Sequence, residues 1–189
     1  MTKASKSKYA VLGLLSMGPM SGYDIKKKVE ATLRYFWNES YGQIYPILKR
    51  LVADGLATRS VEEQVGKPDR YVYTLTNQGR QELQQWLSES AEPQVERVEI
   101  LLKLSFGQQL SMPENIQHVQ HFRESQQKLY QELQDLEKQM HLNHPDNPNL
   151  PYWLAAISYG LHTKIALIQW CNETLIRLRE IEQAKHKSL

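Results

Sequence analysis

Residues 40–76 read SYGQIYPILKRLVADGLATRSVEEQVGKPDRYVYTLT, and the reading of this stretch decides the fold. Its first part has helical period, with Ile44, Ile47, Leu48, Leu51 and Val52 gathering on one side. That leaves Tyr41, Gln43, Tyr45, Lys49 and Arg50 on or near the outer surface. Ser40-Tyr-Gly-Gln43 has capping-box form and sets the helix start, and Asp54-Gly55 sets its end. Pro46 is an awkward residue inside such a helix, because it removes a backbone donor. Beyond the helix, Leu56–Val61 and Arg70–Leu75 alternate like strands, with Tyr71, Tyr73 and Leu75 on one face. The polar run Glu62–Asp69, containing Gly66-Lys67-Pro68, turns one strand into the other.

Working outward, a helix is expected over residues 5–17, with Val11, Leu12, Leu14 and Leu15 as its apolar side and Gly18-Pro19 as its stop. Ser21-Gly-Tyr-Asp24 opens a second helix, the serine accepting an orphan N–H and the acid suiting the positive helix end. Ile25, Val29 and Leu33 form its buried stripe. Thr76 caps a fourth helix to about Glu89, carrying Leu83, Trp86 and Leu87. Three helices followed by a hairpin is the order of a winged helix-turn-helix with a two-stranded β-wing. In that fold the third helix enters a major groove and the hairpin reaches the flanking backbone.

The outward residues suit that role. Gln43 can make paired hydrogen bonds to adenine, and Lys49 and Arg50 can meet guanine or phosphate. Tyr41 and Tyr45 can reach phosphate or a thymine methyl, and Lys67 and Arg70 flank a turn able to lie along the backbone. Two rival classes share parts of this pattern. A protein-interaction winged helix would show no salt-dependent DNA binding, and a small-molecule enzyme or carrier would work through the helical second half without regard to DNA.

That second half follows a break near residues 91–94, which divides the chain into a head, 1–92, and a tail, 93–189. A helix is expected over Val98–Leu110, with Val98, Leu101, Leu102 and Leu104 apolar. Ser111-Met-Pro-Glu114 is a capping box that starts a helix of about 30 residues, ~45 Å long. Ile116, Val119, Phe122, Leu129, Leu133, Leu136 and Met140 line it; with Gln126 counted as a polar core position, their mean step approaches the ~3.5-residue coiled-coil period. His144–Pro151 reverses the chain, and a last helix runs from about Tyr152 to Ala184. Ile157, Leu161, Ile165, Ile168, Leu175 and Leu178 form one stripe on it, and Leu154, Leu167, Trp170 and Ile176 much of another. One partner helix cannot cover both, so these helices are expected to build a homodimer. Two third helices related by a two-fold axis would then read a near-palindrome.

Composition narrows the remaining classes. Of the 189 residues, 41% are hydrophobic and 23% charged, a globular balance with no run long enough to span a membrane. The lysines before the first apolar stretch have no small-residue cleavage site after them, so no signal peptide is expected. A single cysteine, Cys171, fits a cytoplasmic protein and reads as a small buried hydrophobe. The net charge of +2 conceals an asymmetry: residues 1–80 hold 13 Lys/Arg against 7 Asp/Glu, and residues 81–189 hold 10 against 14. Only the front half is suited to a polyanion. The pairs His118/His121 and His141/His144 have helical spacing but lack the three or four convergent ligands of a zinc site, so no metal and no other cofactor is expected. No phosphate loop, nucleophile elbow or Ser/His/Asp order occurs, and catalysis is not expected.

Tyr9-Ala-Val-Leu-Gly-Leu-Leu15, Ser21-Gly-Tyr-Asp24, Gln43-Ile-Tyr-Pro-Ile-Leu48 with Leu51, Asp54-Gly-Leu56 and Arg70-Tyr-Val-Tyr-Thr-Leu-Thr76 with Gly79 together resemble the PadR family of bacterial transcription regulators. The likeness covers residues 8–90, and the remainder resembles the helical dimerisation region of the longer subgroup. Phe36-Trp37 with Ser40 and Gln43-Ile-Tyr-Pro looks closest to the phenolic-acid-responsive repressors. The resemblance implies a dimeric repressor holding operator DNA, with Tyr23, Ser40, Gln43, Tyr45 and Lys49 as contact candidates and Lys67 and Arg70 in the wing. It also implies that an effector, often a small aromatic molecule where family members bind one, or a change in the dimer shifts the spacing of the two DNA-binding heads. Trp37, Trp153, Tyr159, His162 and Trp170 are the candidates to meet such an effector, because indole faces stack on flat ligands and a histidine or tyrosine can bond a carboxylate or phenol.

Overall fold

The computed structural model describes residues 6–35, 37, 43–62, 70–93 and 97–187. The chain falls into two compact units, Met1–Pro93 and Gln94–Leu189. The first contains α1 (Ser7–Ser16), β1 (Met20–Ser21), α2 (Gly22–Thr32) with a 3-10 turn at Leu33–Tyr35, α3 (Ile44–Ala53), β2 (Ala57–Glu62), β3 (Arg70–Leu75) and α4 (Asn77–Ser88). The second contains α5 (Glu99–Ser105), a 3-10 turn at Gly107–Gln109, α6 (Met112–Asn143) and α7 (Leu150–Lys187).

In the head, Val11, Leu12, Leu14 and Leu15 of α1 pack with Ile25 and Val29 of α2, Ile44, Leu48 and Leu51 of α3, Tyr73 of β3 and Leu83 of α4. Leu12, Ile25 and Leu48 are fully buried, and taking each side chain out of water stabilises the fold by on the order of 2 kcal/mol. The Tyr9 ring stacks on Trp86 with centroids 4.4 Å apart, and Lys8 bonds Glu82 at 2.5 Å, so α4 is tied to α1 by an aromatic pair and a charged one. The stops fall where the turn chemistry puts them. Gly55, at φ 72°, takes the left-handed position that ends α3, and the Leu56 N–H returns to the Leu51 carbonyl at 2.8 Å. The Thr76 hydroxyl accepts from the Gly79 N–H at 3.0 Å, capping α4.

Two expectations for the head change. The wing is not a hairpin alone: β1 pairs with the outer edge of β3, Met20 opposite Tyr73 and Ser21 opposite Val72, giving a three-stranded antiparallel sheet in the order β1-β3-β2. After Gly18-Pro19 the chain is already extended into the Ser21 cap, at ψ 164°, so its two residues can satisfy an edge that would otherwise stay open. And Leu87, expected on the apolar side of α4, is exposed.

In the tail, α6 and α7 form an antiparallel helical hairpin. Near the start of α6, Ile116 and Val119 pack with Cys171 and Leu175, joined by Phe122, Trp170 and Leu178. Farther along, Leu133 is buried, and a Cβ on Gly160 would lie 3.0 Å from it; the glycine brings the two helices close together. Ser111 and Glu114 form the expected capping box at the start of α6, with proline in its first turn. The helix expected over 98–110 is shorter. It ends at Ser105, and the side-chain Nδ2 of buried Asn115 donates to the Gly107 carbonyl at 2.8 Å, holding the connection as a 3-10 turn instead of further α-helix. On α5 the buried residue is Ile100, whereas Leu101 and Leu102 are exposed; Ile165 and Ile176 of α7 are exposed as well.

Candidate nucleic-acid interface

Burial of Ile44, Leu48 and Leu51 fixes the roll of α3, and so Gln43, Tyr45, Lys49 and Arg50 are all exposed. Tyr45 and Lys49 are one turn apart. Arg50 lies 3.7 Å from Asp54, a solvent-exposed pair. Pro46 costs nothing in hydrogen bonding. Because α3 begins at Ile44, the proline is its third residue, where a backbone N–H has no partner inside the helix.

Tyr45 is held from below by α2. A Cβ on Gly22 would stand 2.6 Å from the Tyr45 ring, so the ring rests on the first turn of α2 in space only a glycine leaves. Tyr23, next along, is 67% exposed. The same turn also holds the wing. Asp24 accepts from the Ser21 backbone N–H at 3.0 Å and from its hydroxyl at 2.9 Å, and it is ion-paired with Arg70. Burial raises the Asp24 carboxyl's affinity for a proton, but the Ser21 bonds and the Arg70 guanidinium outweigh it, and the group titrates below the ordinary range.

The wing contributes a surface that sequence reasoning overlooked. Arg59 of β2 lies over the Tyr71 ring of β3 at 4.6 Å, on the sheet face whose lower part buries Ala57 and Tyr73. Toward the turn that face leaves the core, and Tyr71 and Val61 become exposed. The signal was available: strict alternation places Arg59 and Tyr71 on the face of Tyr73. Ser40, Tyr41 and Lys67, together with the expected cap at Ser40, lie outside the described residues.

Of the five expected effector residues, one lies in the head and four are spread along the tail. Trp37 belongs to the head; its backbone N–H bonds the Leu33 carbonyl at 2.8 Å, and its buried indole Nε1 has no acceptor among the described residues. In the tail, Trp153 meets His144 edge-on, Tyr159 is exposed, and the His162 Nδ1 lies 2.8 Å from the Ser158 carbonyl. Trp170 packs edge-on against Phe122 in the α6–α7 core, ~25 Å along α7 from Trp153. Among the described residues no three His, Cys, Asp or Glu side chains group as metal ligands, and no helix is long and apolar enough to cross a membrane.

Comparison with known proteins puts this geometry in a family. Residues 11–85 match the transcriptional regulator PadR-like family, and residues 96–179 match the virulence activator alpha C-terminal family. The negative transcriptional regulator PadR of Bacillus subtilis is 39% identical over 131 residues, 69% of this chain and 70% of that protein. The chain belongs to the PadR-like family of transcriptional regulators. The crystal structure of Bacillus subtilis PadR in complex with operator DNA superposes with a TM-score of 0.80 at 30% identity, covering 91% of this chain and 98% of that one. The structure of the same protein in complex with p-coumaric acid gives 0.73 at 31% identity, with the same coverage. As a PadR-like regulator, then, this chain carries its winged helix in the head and its long helices in the tail.

Proposed function

We propose that this PadR-like regulator is a repressor that binds near-palindromic operator DNA as a homodimer and releases it when a small aromatic acid binds. The observation that carries the reading is the outer face of α3, where Gln43, Tyr45 and Lys49 stand exposed on a helix whose roll is set by the core. In this reading Gln43 reads a base edge, Lys49 and Tyr23 hold phosphates, and Tyr45 reaches phosphate or a thymine methyl. Ser40, Tyr41 and Lys67 join them from the flanking segments. The head, 1–92, is the DNA-binding domain, and the tail, 93–189, the dimerisation and effector domain. Exposed Leu101, Leu102, Phe106 and Ile176 supply the apolar surface that a second copy would cover. Bacillus subtilis PadR, whose structures hold operator DNA and p-coumaric acid, supports both ligands by likeness. Trp37, Trp153, Tyr159, His162 and Trp170 remain the residues proposed for the effector. The protein acts in the cytoplasm, where its DNA is, and performs no catalysis.

Fluorescence anisotropy with the DNA upstream of its own gene tests the reading. Binding should weaken steeply with salt, Lys49→Ala should make the salt dependence shallower, and p-coumaric acid should release the DNA. Binding that ignores salt and sequence would overturn it.

A further inference from the structure

Arg70 was expected to touch DNA from the wing, and in the structure it is paired within the protein. It is the first residue of β3 and, opposite Glu62, forms the last ladder pair before the wing's turn. Its Nη2 donates to Asp24 Oδ2, 46 residues away in sequence, and its Nε is buried without an acceptor among the described residues. That same carboxylate oxygen accepts both Ser21 donors, and Ser21 pairs with Val72, two residues along from Arg70. The contacts close a circuit: Arg70 to Val72 along β3, Val72 to Ser21 across the ladder, Ser21 to Asp24 through the helix cap, and Asp24 back to Arg70.

A strand of two residues is a weak tether for a wing. The ion pair adds a second attachment at the other end of the circuit, on the turn of α2 that also seats Tyr45 through Gly22. We propose that Arg70 is a positioning residue: paired with Asp24, it holds the wing in register with the recognition helix, and it does not itself bind phosphate. A guanidinium swung out to a phosphate would abandon Asp24, whose carboxylate already carries the helix cap. Left in place, its charge is largely answered by that carboxylate and adds little to the field that DNA feels.

This inference rests on the DNA-binding reading, and its test has one arm with DNA and one without. Arg70→Gln, Asp24→Asn and the double variant are compared in the full chain. An asparagine at 24 can still accept from the Ser21 N–H, which keeps the cap, and Arg70→Lys keeps the pair as a control for folding. In the free protein, amide exchange at Met20, Ser21, Val72 and Tyr73 should quicken in Arg70→Gln and Asp24→Asn alike and stay slow in Arg70→Lys; unchanged exchange in both would overturn the proposal. With operator DNA, each single variant should lose roughly five- to tenfold in affinity at an unaltered salt slope, with the double variant no worse than either. If Arg70→Gln instead reduces the slope by ~0.9 per protomer while Asp24→Asn binds normally, Arg70 is a phosphate contact and the proposal fails. Should the unaltered protein not bind the DNA at all, the functional reading falls, and the exchange arm still decides whether Arg70 positions the wing.

Discussion

The head and the tail spend their apolar residues differently. In the head, four helices and a sheet surround Leu12, Ile25, Leu48 and Leu51, and half of the exposed large hydrophobic side chains are tyrosines, Tyr23 and Tyr45 at the proposed DNA face and Tyr71 on the wing. In the tail, two long helices and a short one bury Val119, Leu133, Cys171 and Leu175 yet leave Leu101, Leu102, Phe106, Ile165, Ile176 and Ile181 exposed. A helical hairpin has one interface and each helix two sides, so its second side stays open unless something else covers it. The head's fold is therefore closed by its own residues, whereas the tail keeps apolar surface exposed, which the proposed second copy would cover.

Substitutions can break that contrast directly. Leu48→Ala, in the closed core, should cost about 2–5 kcal/mol in urea unfolding, because it leaves a cavity where nothing is exposed. Phe106→Ser, on the open face, should leave helicity intact and shift the protein toward monomer in sedimentation. Equal loss of stability from both would erase the distinction. Next in size, Gly22→Ala should push the Tyr45 ring off its seat and weaken operator binding by up to about tenfold, ~1.4 kcal/mol, with little loss of folding stability.

The third test concerns pH. Glu82, bonded to Lys8, titrates below the ordinary glutamate range, and so does Asp24 below that of aspartate. Both are depressed acids: their stabilisation is complete above the ordinary carboxylate values and is lost as pH falls through the lower folded ones. Lys8 is shifted the opposite way: burial pulls it down most, but the hydrogen bonds and charges of Glu82 and Tyr9 together outweigh burial, and its share is lost only as pH rises through its raised folded value. Unfolding of the full chain in urea should therefore weaken below about pH 4, and Glu82→Gln should flatten that decline. The smallest effect belongs to the tail. Gln126 is buried and its Oε1 has no hydrogen-bond partner among the described residues, so Gln126→Leu should stabilise the α6–α7 hairpin by about 1 kcal/mol in thermal unfolding.

Much of this molecule was legible from local chemistry. The Ser21 cap, the Ser111 capping box, the Thr76 cap and the stop at Gly55 are short-range events, in which a side chain or a backbone conformation satisfies groups a few residues away; that Asp24 completes a box at Ser21 was not foreseen. The outward set on α3 was legible for a related reason, as helical period alone puts Gln43, Tyr45 and Lys49 opposite the buried leucines. The third strand was hidden because two residues carry no alternation to detect. Ile100, not Leu101 or Leu102, became the buried residue of α5 because the direction from which α6 approaches is not encoded in a run of apolar neighbours.

By itself, then, the sequence determined the order of the elements, their caps and stops, the division of charge between the halves and the family, since each rests on neighbours along the chain or on motifs in order. The tertiary structure alone decided that Arg70 meets Asp24, that Tyr45 rests on Gly22 and that Pro46 falls in the first turn of its helix. The first two join residues more than twenty positions apart, and the third depends on where the helix begins. Such pairings are selected by the packing of whole elements against one another, which no local preference can specify.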